Sequence, residues 1–469
     1  MINYTGTYTD QYQLTMAQVY FQKGRKSEKA VFDYFFRNLP FDSGYAVFAG
    51  LEDLLDILEN LHFDKSDLDF LKEIGFPTDF VAYLKDFRFK GTINASREGD
   101  LVFPTRPVLQ VEATLIEAQL IETLLLNILN FQTLIATKAS RMRMVAGNRT
   151  LVDFGLRRAQ GPGGYYASRA AIIGGFNATS NVRAGRDFDI PVSGTMAHSF
   201  VSSYDDELIA FRDFAGQRPN DCVLLVDTYN TLKSGVPNAI IVAGEMENSG
   251  RKLKGIRLDS GDLAYLAKKS RKMLDDAGLK YVQISVSNQL DEYVIKSLID
   301  QEAPIDVFGV GTTLVIGLPD AALDGVYKLT FLDGKPRIKL SDSIGKITLP
   351  HKKQVYRLSD SNGHWIGADA VALEEEQNFI SITDPLNALK SLSVKNFQKE
   401  PLLQKVMENG SRVQKPRSLQ EIAAYSRERL NQLNPEYKRL VNPHIYKVGI
   451  SEGLLKERNT LIEILKSKK

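Results

Sequence analysis

Six stretches of this chain place glycine, hydroxyl and charged residues directly after apolar runs, and together they describe a site for anions. They are Phe154-Gly155-Leu156-Arg157-Arg158, Ser193-Gly194-Thr195-Met196-Ala197-His198-Ser199, Asp227-Thr228-Tyr229-Asn230-Thr231, Arg257-Leu258-Asp259-Ser260-Gly261-Asp262, Ser287-Asn288 and Gly309-Val310-Gly311-Thr312-Thr313. Arg157, Arg158 and Arg257 offer planar guanidinium forks that match carboxylate or phosphate. Gly309 and Gly311 let backbone N–H groups approach a phosphate closely. Asp227, Asp259 and Asp262 suit Mg²⁺, sugar hydroxyls or a developing positive charge. No cysteine–histidine cluster suggests zinc, and no Gly-x-Ser-x-Gly elbow suggests a hydrolase.

Several of these residues also have plainer roles. Asp262 precedes a helical pattern that begins at Leu263 and is expected to cap it. Arg257 stands inside an apolar strand, where a guanidinium needs a partner, so it is expected to face a ligand. His198 alone would be a core imidazole; its Gly-Thr-x-x-His-Ser setting at the mouth of the site makes it a functional candidate. Gly161-Pro162-Gly163-Gly164 is expected to be a flexible loop rather than a phosphate cradle, and Lys466-Ser467-Lys468-Lys469 a solvated tail.

Such groups must be held by elements that end in register. Strands are expected at 150–154, 223–227, 255–259, 282–287 and 305–310, with helices over 263–277 and 292–301. Asp227 to Asp259 is 32 residues, Asp259 to Ser287 is 28 and Ser287 to Gly311 is 24. That is the length of a βα unit repeated in series, which calls for parallel strands and right-handed crossovers. An open sheet and a barrel both satisfy it. The lack of a Gly-x-Gly-x-x-Gly opening, and the glycine pair after the last strand, favour the barrel. In either fold ligands bind at the carboxyl ends of the strands, where the six stretches lie.

A barrel takes about 250 residues, so the flanks of this 469-residue chain form something else. A helix is expected at 12–23, a strand at 30–36 and an amphipathic helix at 51–61 with Leu51, Leu54, Leu55 and Leu58 on one face. After Ile316 short antiparallel strands are expected at 326–332, 336–341 and 354–358, then helices at 419–433 and 451–466. The expected organisation is an α/β barrel core over 146–315, to which the flanks can add strands, and one discontinuous α+β domain from 1–145 and 316–469 packed on it.

Composition excludes several classes. The chain is 43% hydrophobic and 25% charged with mean hydropathy −0.20 and net charge +2, so it is neither collagenous nor disordered, and no strong field recruits nucleic acid or membrane. One cysteine, Cys222, permits no internal disulfide. The start lacks the pattern of a signal peptide. The apolar run 115–136 is broken by Glu117, Gln119, Glu122, Asn127 and Asn130, which argues for a buried amphipathic helix rather than a membrane span. A cytoplasmic protein is expected.

The ordered motifs are similar to those of a known family. Thr9-Asp10-Gln11-Tyr12-Gln13-Leu14-Thr15-Met16, Asp153-Phe154-Gly155-Leu156-Arg157-Arg158-Ala159, Gly194-Thr195-Met196-Ala197-His198-Ser199, Leu225-Val226-Asp227-Thr228-Tyr229, Gly255-Ile256-Arg257-Leu258-Asp259-Ser260-Gly261-Asp262 and Phe308-Gly309-Val310-Gly311-Thr312 stand in that family's order. From Tyr8 to its end the chain resembles the nicotinate phosphoribosyltransferases. Any one motif is weak, but the ordered set is specific. The resemblance implies a type II phosphoribosyltransferase with an irregular α/β barrel and a second α+β domain built from both chain ends. It implies that nicotinate and 5-phosphoribosyl 1-diphosphate (PRPP) react with Mg²⁺ to give nicotinate mononucleotide and diphosphate, in NAD biosynthesis. It also implies ATP hydrolysis coupled through a phosphohistidine, and a head-to-tail homodimer with shared active sites.

Residue roles follow from the same resemblance. His198 would be the phosphorylated histidine. Phe154, and Tyr12 of the neighbouring subunit, would sandwich the pyridine ring. Arg257 and Thr195 would bind the nicotinate carboxylate or lie beside it. Asp259 would face the ribose, and Gly309, Gly311 and Thr312 its 5-phosphate. Arg157 would contact the base or phosphates, and Lys328, Arg337 and Lys339 the diphosphate; metal ligands stay unassigned. Related nicotinamide enzymes carry an acidic residue where Ser180 stands after Ala178-Thr179. A carboxylate there would repel nicotinate's own, whereas a serine hydroxyl donates to it, so Ser180 favours the acid. The nicotinamide reaction is the nearest alternative. From other classes, a carbohydrate-active barrel with Asp227 and Asp259 as paired carboxylates would want more aromatic platforms than Trp365, expected outside the barrel. A non-catalytic nucleotide-binding barrel has no need of Arg257, His198 and the glycine pair together.

Overall fold

Residues 4–341 and 347–467 are described by the structure, a computed structural model. Residues 1–3, where the start was read for a targeting signal, and Lys468 and Lys469 of the basic tail lie outside them. By contact the chain divides into two compact units, residues 138–321 and residues 1–137 with 322–469. The divisions fall within the helix Glu122–Ala146 and after the helix Thr312–Val315.

The 138–321 unit is built on six short parallel strands: β1 (Thr150–Asp153), β2 (Ala178–Thr179), β3 (Val223–Leu225), β4 (Gly255–Leu258), β5 (Gln283–Ser287) and β6 (Val307–Val310). They hydrogen-bond in the order β2-β1-β6-β5-β4-β3. Every consecutive pair but β2 and β3 is adjacent, and the last strand pairs with the first, as staves of a barrel do. A parallel bridge between Thr179 and Val192 continues the series past β2. The seam with no ladder bonds among the described residues lies between that bridge and β3. The result is an irregular barrel interrupted at one place.

Local sequence explains these elements. The strands are rich in Val, Leu and Ile and buried along most of their length, as parallel strands covered on both faces must be. The helix Leu263–Asp276 buries Ala264, Ala267, Ser270 and Leu274 along one face. Asp262 caps it as expected, its carboxylate accepting from the Tyr265 amide at 3.0 Å, a device worth about 1 kcal/mol. Asn181, Asn230 and Asp291 act in the same way on other helices of the unit. The expected loop at Gly161-Pro162-Gly163-Gly164 requires correction: Gly163 and Gly164 open the helix Gly163–Ile173. A Cβ on Gly164 would crowd Leu156 and Ala159, so glycine here allows close packing of the helix start.

The other unit joins the two ends of the chain. Lys29–Phe36 lies antiparallel between Leu109–Thr114 and Gly325–Leu332 in a seven-stranded sheet. A six-stranded sheet pairs Lys353–Ser359 antiparallel with Trp365–Leu373, which runs parallel to Lys447–Ser451. The helix Leu51–Asn60 buries Leu51, Leu54, Leu55 and Leu58, as its periodicity predicts. The apolar run 115–136 is divided between Leu115–Leu120 and Glu122–Ala146. The strand expected at 336–341 contracts to Lys335–Pro336. The Arg337 amide still donates to the Thr330 carbonyl at 2.8 Å, but past it the Lys339 amide turns to the Thr348 hydroxyl rather than to a strand. Among the described residues no helix is long and apolar enough to cross a membrane.

Candidate functional site

Arg257 sits near the carboxyl end of β4, and its partners come from the loop 193–199. Its Nη1 donates to Thr195 Oγ1 at 2.7 Å and to the Met196 carbonyl at 3.3 Å. Nη2 lies 3.7 Å from Asp259 Oδ2. The guanidinium carbon is 6.0 Å from the centroid of the Phe154 ring. Only 15% of the side chain is exposed, and its buried Nε has no hydrogen-bond partner among the described residues. Burial pulls the Arg257 pKa down; Asp259 and Asp227 oppose this and Arg157 reinforces it. A half-satisfied, desolvated guanidinium beside an aromatic face is suited to a flat ligand bearing a carboxylate.

Around it the carboxylates form a chain of contacts. Asp259 Oδ2 also faces His198 Nε2 at 3.7 Å, and Asp259 Oδ1 accepts from Ser287 at the end of β5. Asp227, two residues past β3, accepts from the Asp259 amide at 2.7 Å and from Ser260 Oγ at 2.6 Å, both on Oδ2. Its Oδ1 is buried with no donor among the described residues. His198 begins the short helix His198–Ser202. Its Nδ1 is 3.1 Å from Thr228 Oγ1, and with 44% of its side chain exposed it remains open to solutes.

Phe154 follows β1, and its amide donates to the Val310 carbonyl at 2.7 Å. A Cβ on Gly309 would run into its ring, and one on Gly311 would come within 3.2 Å of its carbonyl oxygen. These glycines therefore make room for Phe154 across β6, a reason that phosphate-loop logic did not anticipate. Behind the ring, buried Asp153 accepts from Ser168 Oγ at 2.7 Å, Thr179 Oγ1 at 2.8 Å and the Gly155 amide at 2.8 Å. This carboxylate ties β1, β2 and the helix Gly163–Ile173 together. Ser180, half-buried, follows β2 and donates its amide to the Asp153 carbonyl at 2.8 Å.

The remaining candidates divide by place. Arg157 is exposed in the turn Leu156–Arg158, and Thr312 is exposed at the start of Thr312–Val315. Tyr12, on the helix Gln11–Gln22, is 51% exposed. In that same unit Lys328 lies among Glu122, Arg37 and Lys339: burial lowers its pKa most, Glu122 opposes and the two cations reinforce. Glu28 is held below its ordinary pKa by its hydrogen bond from Arg25, and Arg337 adds a smaller pull in the same direction. No separate role for Thr228 or Ser287, and none for Arg37 or for Asp153 as a structural tie, was evident from sequence alone. Thr228 and Ser287 do follow predicted strands, which is the signal that would have found them. Among the described residues no group of three or more His, Cys, Asp or Glu is arranged to hold a metal.

Comparisons with known proteins bear on the same residues. A model of the nicotinate phosphoribosyltransferase (NAPRTase) family matches residues 149–364, and models of the NAPRTase N-terminal and C-terminal domains match 7–130 and 352–458. A nicotinate phosphoribosyltransferase of Bacillus subtilis (strain 168) is 46% identical, covering 98% of this chain and 96% of its own. One of Dictyostelium discoideum is 37% identical, covering 95% and 86%. The crystal structure of human nicotinic acid phosphoribosyltransferase superposes with a TM-score of 0.86 at 33% identity, over 97% of this chain and 99% of that one. Nicotinate-nucleotide pyrophosphorylase from Pyrococcus furiosus superposes at 0.72 with 26% identity, over 91% and 95%.

Proposed function

The chain belongs to the nicotinate phosphoribosyltransferase family, and from that premise we propose how its barrel end carries out the family's reaction. Its activity is phosphoribosyl transfer to nicotinate. The pyridine ring lies against Phe154, with the nicotinate carboxylate taken by Arg257 and Thr195 and approached by the Ser180 hydroxyl. Asp259 faces the ribose of PRPP. Backbone amides at Gly309, Gly311 and Thr312 hold its 5-phosphate, with Arg157 on the remaining phosphates; the other unit offers Lys328, Arg337 and Lys339, with Arg37 near Lys328, as basic groups for a diphosphate. Tyr12 from a second copy closes over the ring in a homodimer; its exposed ring supports this role.

The chemistry follows from charge. The bond between the anomeric carbon and diphosphate breaks, the electron pair leaves with diphosphate, and an oxocarbenium-like ribose remains. The pyridine nitrogen, unprotonated near pH 7, forms the new C–N bond with its lone pair, so no general base is needed. The protein positions the two reactants, excludes water and stabilises charge. Mg²⁺ fits the donor set, because Asp227 carries a buried oxygen without a donor and Asp259 a second carboxylate. When bound there, Mg²⁺ would supply positive charge to offset that of the diphosphate leaving group. His198 takes the phosphoryl group of ATP. With Nδ1–H donated to Thr228, the Nε2 lone pair forms the N–P bond as ADP leaves.

The observation that carries this account is the buried Arg257 fork, with an unmet Nε, beside the Phe154 ring. Arg257→Lys keeps the charge and loses the fork, which should lower kcat/KM for nicotinate by about 10- to 100-fold. Steady-state kinetics should show the KM for PRPP within about twofold of wild type. An unchanged nicotinate KM would contradict the assignment.

A further inference from the structure

We propose that the unit formed by residues 1–137 and 322–469 carries a second ligand site, for a phosphomonoester with a compact, partly apolar body. The site is a cavity of about 220 Å³ that shares no residue with the barrel end. Leu51, Leu55, Ala95 and Val406 form its apolar wall, and Arg97, Lys415 and Arg417 its basic one.

The charges are unevenly met. Arg412, which also lines the cavity, is neutralised by Glu52, Asp56 and Glu59. Among the described residues Arg417 pairs with the other oxygen of that same Glu52, at 3.5 Å, donates to the Glu98 carbonyl at 3.3 Å and lies within the field of the Glu98 carboxylate. The Glu98 carboxylate is committed to the amides of Gly50 and Glu52. Glu421, within the field of Arg97 and Arg417, is held in the capping box of Ser418. Arg97 is fixed over the Tyr425 ring, its guanidinium 4.1 Å from the centroid. Neither Arg97 nor Lys415 makes an ion pair among the described residues. Burial depresses the pKa of Arg417 and Arg97 depresses it further, so two like charges confront each other across this space.

Glu52 also lines the cavity, but the cations there exceed it in number, and an excess of positive charge at a concave surface raises the local concentration of anions. A phosphate dianion supplies three strong acceptors for Arg97, Arg417 and Lys415 together. The side chains of Gln404 and Gln414, on the same lining, add neutral donors. A bare anion would leave Leu51, Leu55, Ala95 and Val406 wet, whereas an organic body covers them.

Hydrogen exchange on the full-length protein tests this, with phenyl phosphate as the probe. It should slow exchange across residues 411–417 in the wild type. Arg97→Ala and Lys415→Ala alter exposed side chains outside the barrel-end machinery. Each should raise the half-saturating concentration by about tenfold, with nicotinate turnover within about twofold of wild type. Absence of slowing at millimolar probe, or equal slowing in both variants, would overturn the site. Inorganic phosphate with the same half-saturation as phenyl phosphate would overturn the organic body.

Discussion

Asp259 Oδ2 stands 3.7 Å from both the Arg257 fork and the His198 imidazole, so one carboxylate oxygen connects the proposed nicotinate anchor to the proposed phosphorylation site. A phosphoryl group on His198 would place negative charge beside Asp259 and weaken its hold on Arg257. The fork would then turn more readily to an incoming carboxylate, which gives ATP a route to tighter nicotinate binding. Ser180 adds selectivity at the same scale. Ser180→Asp should raise the KM for nicotinate by about 10- to 100-fold, since facing like charges costs several kcal/mol. Initial-rate measurements check this, and an unaltered KM would separate Ser180 from the carboxylate. Arg257 was legible because a guanidinium inside an apolar strand needs a partner, and Thr195 and His198 through their Gly-Thr-x-x-His-Ser setting. Arg37 was not: Lys328, whose charge it opposes, is remote in sequence and comes near it only in the fold.

The elements were legible where their pattern was strong. Five barrel strands and the helices Leu263–Asp276 and Glu292–Asp300 lie where β-branched runs and helical periodicity put them, with ends shifted by one or two residues. β2 was missed because two residues, Ala178 and Thr179, carry no periodicity. What fixes β2 is Asp153, through Thr179. Burial raises the Asp153 pKa above its ordinary 3.8 and outweighs the hydrogen bonds from Ser168, Gly155 and Thr179. The folded state therefore holds that proton more tightly than the unfolded chain, and this group's contribution to stability falls as pH rises through the window above 3.8. Asp153→Asn removes the titration. Relative to wild type, the variant should gain stability between pH 4 and pH 7 in urea unfolding. A relative loss over that window would mean that the three hydrogen bonds dominate.

At the scale of the molecule, buried charge helps to bind distant segments into one unit. Asp369 pairs with Arg106 at 2.9 Å and Arg357 at 3.1 Å, and Asp100 with Arg357 at 3.0 Å and Arg429 at 2.8 Å. Tyr446 donates to Asp369 at 2.9 Å. None of this was legible, because a buried arginine looks like a surface one in sequence. The proposed shared site makes its own prediction at this scale. Tyr12→Ala and His198→Ala chains, each lacking ATP-dependent activity, should complement when unfolded together and refolded. Half of the dimers would be mixed and each would hold one intact site of two, restoring about a quarter of wild-type activity. No recovery would place Tyr12 and His198 in the same chain's site. The reaction itself is tested most directly by incubating the protein with PRPP, Mg²⁺ and either nicotinate or nicotinamide, with and without ATP, and separating the products. Nicotinate mononucleotide should form in the nicotinate reaction, faster with ATP, and His198→Ala should abolish the ATP effect. Formation of nicotinamide mononucleotide in preference, or ATP stimulation that survives in His198→Ala, would contradict the account.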